Sequence, residues 1–175
     1  MTNEPTNFSG EAMTYAFADT GIGTILVAAG ERGVTALLIG GDRTRLRREL
    51  GEMLAGASVR EDETAMAGIL ECVVRLAANP AELVTFALDL RGSRVEQAVW
   101  NALRRLPAGA TIGYGALARS LPVPATAQEM GAACAANRVA IAVPCHRVVK
   151  ADGGISGYRW GVARKRRLIA LEAAA

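Results

Sequence analysis

Short apolar runs separated by glycines dominate the first forty residues of the chain. Each run has the length of a strand, and the three cover residues 13–19, 24–29 and 34–39. Strand-length runs with glycine-bearing gaps predict an antiparallel meander. The polar and acidic residues 1–12 that come before it are predicted to form a disordered leader.

Helical periodicity follows the predicted strands. Apolar residues recur at helical spacing over residues 42–54, and Asp42 has the side chain of a good N-cap. A second helix is predicted over residues 63–78, because the Asn-Pro pair that follows cannot continue it. Residues 84–90 could add one more strand. The first half is therefore predicted to be a small α/β unit with an antiparallel sheet.

The second half is predicted to be mostly helical. Ser93 and Glu96 have the spacing of a capping box at the start of one helix. Two short helices, over residues 115–121 and 125–136, flank a proline-bounded turn and predict a helix-turn-helix. A last helix is predicted over residues 162–173. The fold class expected for the whole chain is therefore α/β (α+β).

The distribution of charge divides the chain. Residues 1–90 carry a net charge of −6 and residues 91–175 a net charge of +9, which gives +3 in total. We therefore place a domain boundary near residue 91, between an amino-terminal domain (13–91) and a carboxy-terminal domain (92–175). A basic half suggests a polyanionic partner, although an arginine-rich solvated surface would give the same count.

Composition excludes several classes of site. Three cysteines without close pairing argue against a disulfide framework, and a single histidine argues against a zinc site. No metal and no cofactor are therefore expected. The sequence has no apolar run of 18 residues and no secretory signal at its start, so a cytoplasmic protein that does not bind membranes is expected. We also expect the protein to be a monomer.

The strongest chemical signal is the segment Cys145-His146-Arg147. Nucleophilic cysteine chemistry needs a thiolate, which a nearby base or positive charge can supply. A bare Cys-His pair at the end of a strand is nevertheless often structural. Adjacent residues of an extended segment also point to opposite faces, so contact between Cys145 and His146 would require a turn or a bridging water.

The residues around this segment carry a specific resemblance. Pro144 to Val148 reads Pro-Cys-His-Arg-Val, Asn137 lies eight residues before the cysteine, and residues 156–161 read Ser-Gly-Tyr-Arg-Trp-Gly. This pattern resembles the O6-alkylguanine-DNA alkyltransferases, and in detail the carboxy-terminal domain of bacterial Ada proteins. The resemblance runs from about residue 13 to residue 172 and is dense from residue 95 onward.

The resemblance implies a single-turnover repair reaction. Cys145 would take the alkyl group from O6-alkylguanine in DNA, and also from O4-alkylthymine, and would keep it as a thioether. His146 would act as base through a bound water, with Glu172 orienting the imidazole, as in the logic of a hydrolase triad. Asn137 would brace the cysteine loop, and Tyr114 would help to rotate the target nucleotide out of the duplex.

The resemblance also implies how substrate and DNA are bound. The guanine pocket would be formed by a set of six residues: Tyr114, Val148, Ser156, Tyr158, Arg159 and Trp160. Trp160 would narrow this pocket and favour methyl over benzyl groups. The helix over residues 125–136 would enter the minor groove of double-stranded DNA through its small and polar residues, namely Ala127, Gln128, Gly131 and Ala135.

Two residues depart from the family pattern. Gln128 stands where the family usually has an arginine, and Glu129 stands at a position that is usually small. These departures keep a second hypothesis open, in which the protein binds alkyl lesions without repairing them. A third hypothesis is a thiol redox sensor with Cys134 as the resolving cysteine. It would leave Tyr114, Glu172 and the helix-turn-helix unexplained.

Overall fold

The computed structural model describes residues 7–175 and begins with a three-stranded meander. β1 (Ala12–Thr20), β2 (Gly23–Gly30) and β3 (Gly33–Gly40) pair antiparallel in chain order. Gly23 and Gly33 open β2 and β3 with φ angles of 124° and 126°, which residues with a Cβ rarely adopt. The predicted meander is therefore confirmed.

A fourth strand completes the sheet. β4 (Ser58–Glu61) lies parallel to β1 at the edge, so the sheet is mixed. The predicted antiparallel sheet is therefore formed by β1, β2 and β3, and β4 adds a parallel edge strand that was not predicted. All four residues of β4 are exposed, and they lack the apolar alternation by which a half-buried strand is recognised in a sequence.

The segment just before β1 is held in place. Residues 1–6 of the predicted leader lie outside the described residues. Phe8 is buried, and the guanidinium carbon of Arg91 lies 4.3 Å from its ring centroid. Arg91 also donates to both carboxylate oxygens of Glu11, at 2.6 and 2.8 Å. The prediction of disorder is wrong for residues 7–12, because a buried ring and a paired carboxylate fix them.

Two helices of the first half begin at aspartate caps. Asp42 accepts from the Thr44 amide ahead of α1 (Arg43–Met53), and Asp62 accepts from the Ala65 amide ahead of α2 (Glu63–Ala78). α2 packs on β1, and α1 packs on β3. Both helices match the predicted ranges to within one residue, because periodicity and capping are local signals.

Residues 84–90 do not form the predicted strand. They make one isolated bridge, in which the Val34 amide donates to Ala87 at 2.8 Å and the Asp89 amide donates to Val34 at 2.9 Å. Their apolar side chains are packed against the core instead. The apolar residues of this segment thus pack against the core without forming a strand. Apolar periodicity alone does not distinguish such an irregular segment from a strand.

The second half is helical, as predicted. It contains α3 (Arg94–Arg105), α4 (Tyr114–Ser120), α5 (Ala127–Ala136) and α6 (Val162–Ala173). The capping box of Ser93 and Glu96 is formed in both directions, at 2.7 and 3.2 Å. α4 and α5 pack together around a proline-bearing turn in a helix-turn-helix arrangement.

A pair of two-residue strands links the helix-turn-helix to the cysteine segment. β5 (Ile112–Gly113) pairs parallel with β6 (Val148–Val149). β5 ends where α4 begins, and β6 follows the cysteine segment directly. The pairing therefore places the start of α4 beside Cys145.

The two halves share one core. The Leu37 amide of β3 donates to the Arg138 carbonyl at 2.8 Å, and the Ala140 amide donates to the Leu37 carbonyl at 2.9 Å. Buried side chains from both halves form a continuous apolar cluster. The division at residue 91 stays a prediction. None of the helices within residues 7–175 is long and apolar enough to span a bilayer.

We predict that Trp100→Phe destabilises the protein through the contact between α3 and α5. Trp100 is buried, and its Nε1 donates to the Ala133 carbonyl at 2.9 Å. Phenylalanine leaves that carbonyl, one of the last four of α5, without its partner, at a cost of about 1–3 kcal/mol. Urea unfolding measures the loss.

Leu83→Ala is the control for this measurement, because Leu83 is 88% exposed. It should change the free energy of unfolding by no more than about 0.5 kcal/mol. A Trp100→Phe protein as stable as the wild type would contradict the importance of this contact.

Candidate functional site

Asn137 ends α5 and ties it to the loop that carries Cys145. Its side chain is buried, and Oδ1 accepts from the Val139 amide at 2.9 Å. Nδ2 donates to the Val143 carbonyl at 3.0 Å and to Cys145 Sγ at 3.1 Å. Both N–H groups of Nδ2 are thereby used. The position of the sulfur relative to α5 is therefore fixed by this one amide.

The loop delivers Cys145 into a tight turn. Ile141 has a φ angle of 65°, in the left-handed region that β-branched residues rarely adopt. Beyond Pro144, residues Cys145–Arg147 form one turn of 3₁₀ helix. With three residues per turn, successive side chains point in three different directions. Cys145 faces a surface cavity, and His146 faces α6.

Glu172 of α6 joins the other two side chains of this turn. His146 Nε2 lies 2.7 Å from Glu172 Oε1, and Arg147 donates to both carboxylate oxygens at 2.8 to 3.1 Å. The Gly109 amide donates to Oε2 at 3.2 Å. Because Oε1 accepts the Nε2 proton, Nδ1 of the neutral imidazole is an acceptor. Nδ1 is buried and has no hydrogen-bond partner among residues 7–175.

At neutral pH Glu172 is ionised, whereas His146 and Cys145 are uncharged. Burial alone would raise the pKa of Glu172, but hydrogen bonds from His146 and Arg147 bring that pKa down to about 2. Burial lowers the pKa of His146 despite the opposing effect of Glu172, so the imidazole is uncharged at neutral pH. Burial raises the pKa of Cys145 well above that of an ordinary thiol. Cys145 is therefore protonated at rest and needs a base.

A cavity of about 300 Å³ opens in front of the cysteine. It lies between α5, the start of α4 and the segment that precedes α6. Eight residues line it: Tyr114, Gly131, Cys134, Ala135, Cys145, Gly157, Tyr158 and Arg159. Four of the predicted catalytic and substrate residues, Tyr114, Cys145, Tyr158 and Arg159, are thus brought together at one cavity.

Ser156 and Val148 lie behind the wall of this cavity. Ser156 Oγ is 2.7 Å from the Tyr114 hydroxyl and accepts from Lys165 Nζ at 2.7 Å. The Val148 carbonyl accepts from both Ser156 and Lys165. Neither residue lines the cavity itself, so the roles expected of Val148 and Ser156 in the guanine pocket stay predictions.

Trp160 does not wall the cavity. Its ring packs behind Tyr158, with ring centroids 5.3 Å apart, and it borders a neighbouring groove formed with α1. We expected Trp160 to narrow the pocket by direct contact, and that expectation is wrong because Trp160 does not line the cavity. Tyr158 stands between Trp160 and the cavity. The Gly161 amide donates to the Tyr158 carbonyl at 3.0 Å and closes a turn, so Tyr158 and Trp160 face different grooves. The sequence alone did not show which groove holds the cysteine.

The predicted recognition helix presents a small-residue face. Ala127, Gln128 and Ala135 are exposed, and Gly131 is half-buried at the cavity rim. Glu129 caps the same helix, since its carboxylate accepts from the Thr126 amide at 2.6 Å. Hydrogen bonds from Thr126 also hold the pKa of Glu129 below its usual value. Glu129 is thus engaged at the start of α5.

Three functional neighbours were not assigned from the sequence. Arg147 was grouped with the thiol, but it pairs with Glu172 instead. Lys165 lies in a basic run typical of a solvated surface, yet it is buried and holds Ser156. Cys134 was considered only as a resolving cysteine, and it lines the cavity. Only Arg147 gave a local signal, through its place next to the histidine.

The chain is similar to known DNA methyltransferases and DNA repair enzymes. Residues 94–174 match the family described as 6-O-methylguanine DNA methyltransferase, DNA binding domain. The Escherichia coli bifunctional transcriptional activator/DNA repair enzyme Ada is 42% identical over 99% of this chain and 49% of its own length. The chain thus spans about half the length of this relative, and the predicted resemblance to Ada proteins is confirmed.

Two crystal structures extend the likeness to the whole fold. The O6-methylguanine methyltransferase of Mycobacterium tuberculosis is 32% identical, with a TM-score of 0.75 and 93% of each chain covered. The structure of Mycobacterium tuberculosis OGT in complex with DNA gives 32% identity and a TM-score of 0.72, over 92% of this chain and 93% of that one. On these similarities, the chain belongs to the O6-alkylguanine-DNA alkyltransferase (methylated-DNA–protein-cysteine methyltransferase) family.

Proposed function

We propose that this protein repairs alkylated DNA by moving an alkyl group from the O6 position of guanine to Cys145, once per molecule. The observation that carries this proposal is the Cys145 sulfur itself, which faces the cavity while Asn137 Nδ2 holds it at 3.1 Å. The neutral His146, which is paired with the ionised Glu172, follows Cys145 in the same 3₁₀ turn. We extend the proposal to O4-alkylthymine, which presents the same alkoxy group.

The proton of the thiol has a defined destination. His146 accepts it at Nδ1 through a bridging water, and Glu172 stabilises the imidazolium that results. The Asn137 donor stabilises the thiolate. The sulfur then attacks the alkyl carbon, an S–C bond forms and the C–O6 bond breaks. No group at the site removes the alkyl group from the thioether, so each molecule reacts once.

Tyr114 supplies the proton that the leaving base requires. Burial raises the pKa of Tyr114, so its phenol stays protonated and is a donor. The phenol proton points into the cavity when Ser156 turns its single proton from the Val148 carbonyl to the Tyr114 oxygen. Protonation of guanine at a ring nitrogen makes it leave as a neutral molecule. Lys165 keeps Ser156 in place for this role.

Access to the lesion requires base flipping. The alkyl carbon on O6 of guanine lies inside a stacked duplex, whereas Cys145 lines a cavity of the protein beside α5. We propose that α5 enters the minor groove through Ala127, Gln128, Gly131 and Ala135, and that Gln128 fills the gap left by the flipped base. Minor-groove readout is degenerate, which suits repair at any sequence. The DNA complex of the mycobacterial relative supports double-stranded DNA as partner. We further propose a cytoplasmic monomer.

We predict that the protein gains the mass of one methyl group when it is mixed with a duplex containing O6-methylguanine. Peptide mapping should place the group on Cys145, because this thiol faces the cavity and precedes the proposed base His146 in the same turn. Cys145→Ser should gain no mass, whereas Cys72→Ser should react like the wild type. A Cys145→Ser protein that still becomes methylated would exclude the mechanism. Protein that binds the lesion without gaining mass would favour the lesion sensor.

We predict that Glu172→Gln slows methyl transfer by about 10²-fold or more, because it removes the anion that stabilises the His146 imidazolium. Glu172 raises the pKa of His146, so its loss lowers that pKa. The acid limb of the rate profile, where His146 becomes protonated, should therefore move to lower pH in the variant. Single-turnover rates measured from pH 5 to 9 report both changes.

Stability provides the control for this variant. The folded pKa of Glu172, about 2, is depressed below its ordinary value of 4.5, so its stabilising contribution is present above about pH 4.5. That contribution is lost as pH falls toward 2, which is outside the range of the rate measurements. Thermal melts at each pH identify any unfolded sample, and Glu172→Asp tests whether a displaced carboxylate restores part of the rate. A slower variant with an unmoved acid limb would contradict the role.

We predict that Gln128→Arg strengthens duplex binding and speeds duplex repair. Arginine fills the gap in the stack and adds one cationic contact, which should steepen the salt dependence of binding by about one unit of slope. Reaction with free O6-methylguanine base should not change. Leu83→Arg, which adds the same charge at a site 88% exposed and outside the cavity and α5, should leave the repair rate as it is. Equal gains from both variants would show that Gln128 does not lie at the gap.

A further inference from the structure

The cavity contains a second thiol. Cys134 lies in the last turn of α5, and Cys145 begins the 3₁₀ turn opposite. Both cysteines line the same cavity of about 300 Å³, and each thiol influences the pKa of the other. An S–S bond of about 2.05 Å would join the two sulfur atoms across this shared space.

Asn137 holds the two cysteines relative to each other. Its backbone amide donates to the Cys134 carbonyl at 3.3 Å, and its side chain donates to Cys145 Sγ at 3.1 Å. The main chain of one cysteine and the sulfur of the other are thus bound to a single buried residue. This shared anchor fixes the two cysteines relative to each other.

The two thiols differ in reactivity. The neighbouring Cys145 thiol lowers the pKa of Cys134, and the positive charge of Lys165 adds to this effect. Cys134 is also partly exposed, whereas Cys145 is buried. Thiolate character and access govern which cysteine an oxidant attacks first. Cys134 is therefore the thiol that meets an oxidant at the mouth of the cavity.

We propose that Cys134 and Cys145 form a reversible intramolecular disulfide when the protein meets hydrogen peroxide. The Cys134 thiolate attacks the peroxide, an S–O bond forms, the O–O bond breaks, and water leaves after protonation. The Cys145 sulfur then attacks Cys134, an S–S bond forms and the S–O bond breaks, releasing a second water. Two thiols are oxidised by two electrons, and one peroxide is reduced.

This disulfide makes the acceptor cysteine recoverable. A disulfide is restored by a dithiol, whereas a cysteine oxidised to sulfinic or sulfonic acid is lost in the absence of a dedicated repair enzyme. Loss matters here because a protein that reacts once per molecule has a single acceptor to protect. The chemistry of the pair does not depend on alkyl transfer, and only this consequence rests on the proposed function.

The experiment treats the reduced full chain with hydrogen peroxide and analyses it without reduction. The wild type should lose the mass of two hydrogens, and peptide mapping should find residues 134 and 145 linked. Cys72→Ser should behave in the same way, since Cys72 contacts Thr85 and does not line the cavity. Dithiothreitol should restore the original mass and full methyl acceptance from O6-methylguanine DNA, each protein being normalised to its own reduced sample.

Cys134→Ser tests the protective effect. This variant should gain oxygen on Cys145 under peroxide and should not recover methyl acceptance with dithiothreitol. Wild-type protein that gains oxygen on Cys145 without a 134–145 link would overturn the proposal. Links that involve Cys72 or a second molecule, or thiols that stay reduced at peroxide levels that oxidise free cysteine, would overturn it as well. A link found in protein that never accepts methyl would leave the disulfide standing and refute the proposed function instead.

Discussion

The side-chain amide of Asn137 is the interaction on which the geometry of the site depends. It makes three hydrogen bonds inside the protein, and they fix the cysteine loop at both of its ends. A buried backbone group that loses such a partner costs about 1–3 kcal/mol, so the loop has no equally good alternative position. Because Asn137 also ends α5, the helix proposed to bind DNA and the sulfur proposed to accept the alkyl group form one unit. A sulfur placed against a flipped base must be positioned to a fraction of an ångström, and this coupling provides that placement.

The carboxylate of Glu172 carries the electrostatics of the site. It accepts from His146 and Arg147 together, so the buried negative charge has a permanent positive partner. The two neighbours act on His146 in opposite directions, since Glu172 raises its pKa and Arg147 lowers it. Burial is the larger effect and keeps the imidazole neutral. The Pro-Cys-His-Arg segment therefore directs the proposed nucleophile, the proposed base and an arginine to three sides of one turn, and the arginine pairs with Glu172.

The opposite wall of the cavity is held by a buried lysine. Lys165 donates to Ser156 and to the Val148 and Gly157 carbonyls, and Ser156 contacts the Tyr114 hydroxyl. The same cation lowers the pKa of Cys134. The Lys165 ammonium group thus holds the segment that contains Ser156 and Gly157, and it contributes to the lowered pKa of Cys134. The repair proposal and the disulfide proposal both rest on groups that Lys165 positions or polarises.

The sequence by itself determined the elements whose signals are local. Capping residues and apolar periodicity located the five longer helices, glycine-bounded runs located the meander, and the motif around Cys145 identified the family. Tertiary structure decided whatever depends on partners distant in the chain. β4 has no apolar pattern, residues 84–90 have one but make only a single bridge to β3, and Trp160 lies behind Tyr158. Lys165 and Cys134 belong to the site only because α6 and α5 bring them there. A side chain's role follows from its neighbours, and contacts across many residues leave no periodic trace in the chain.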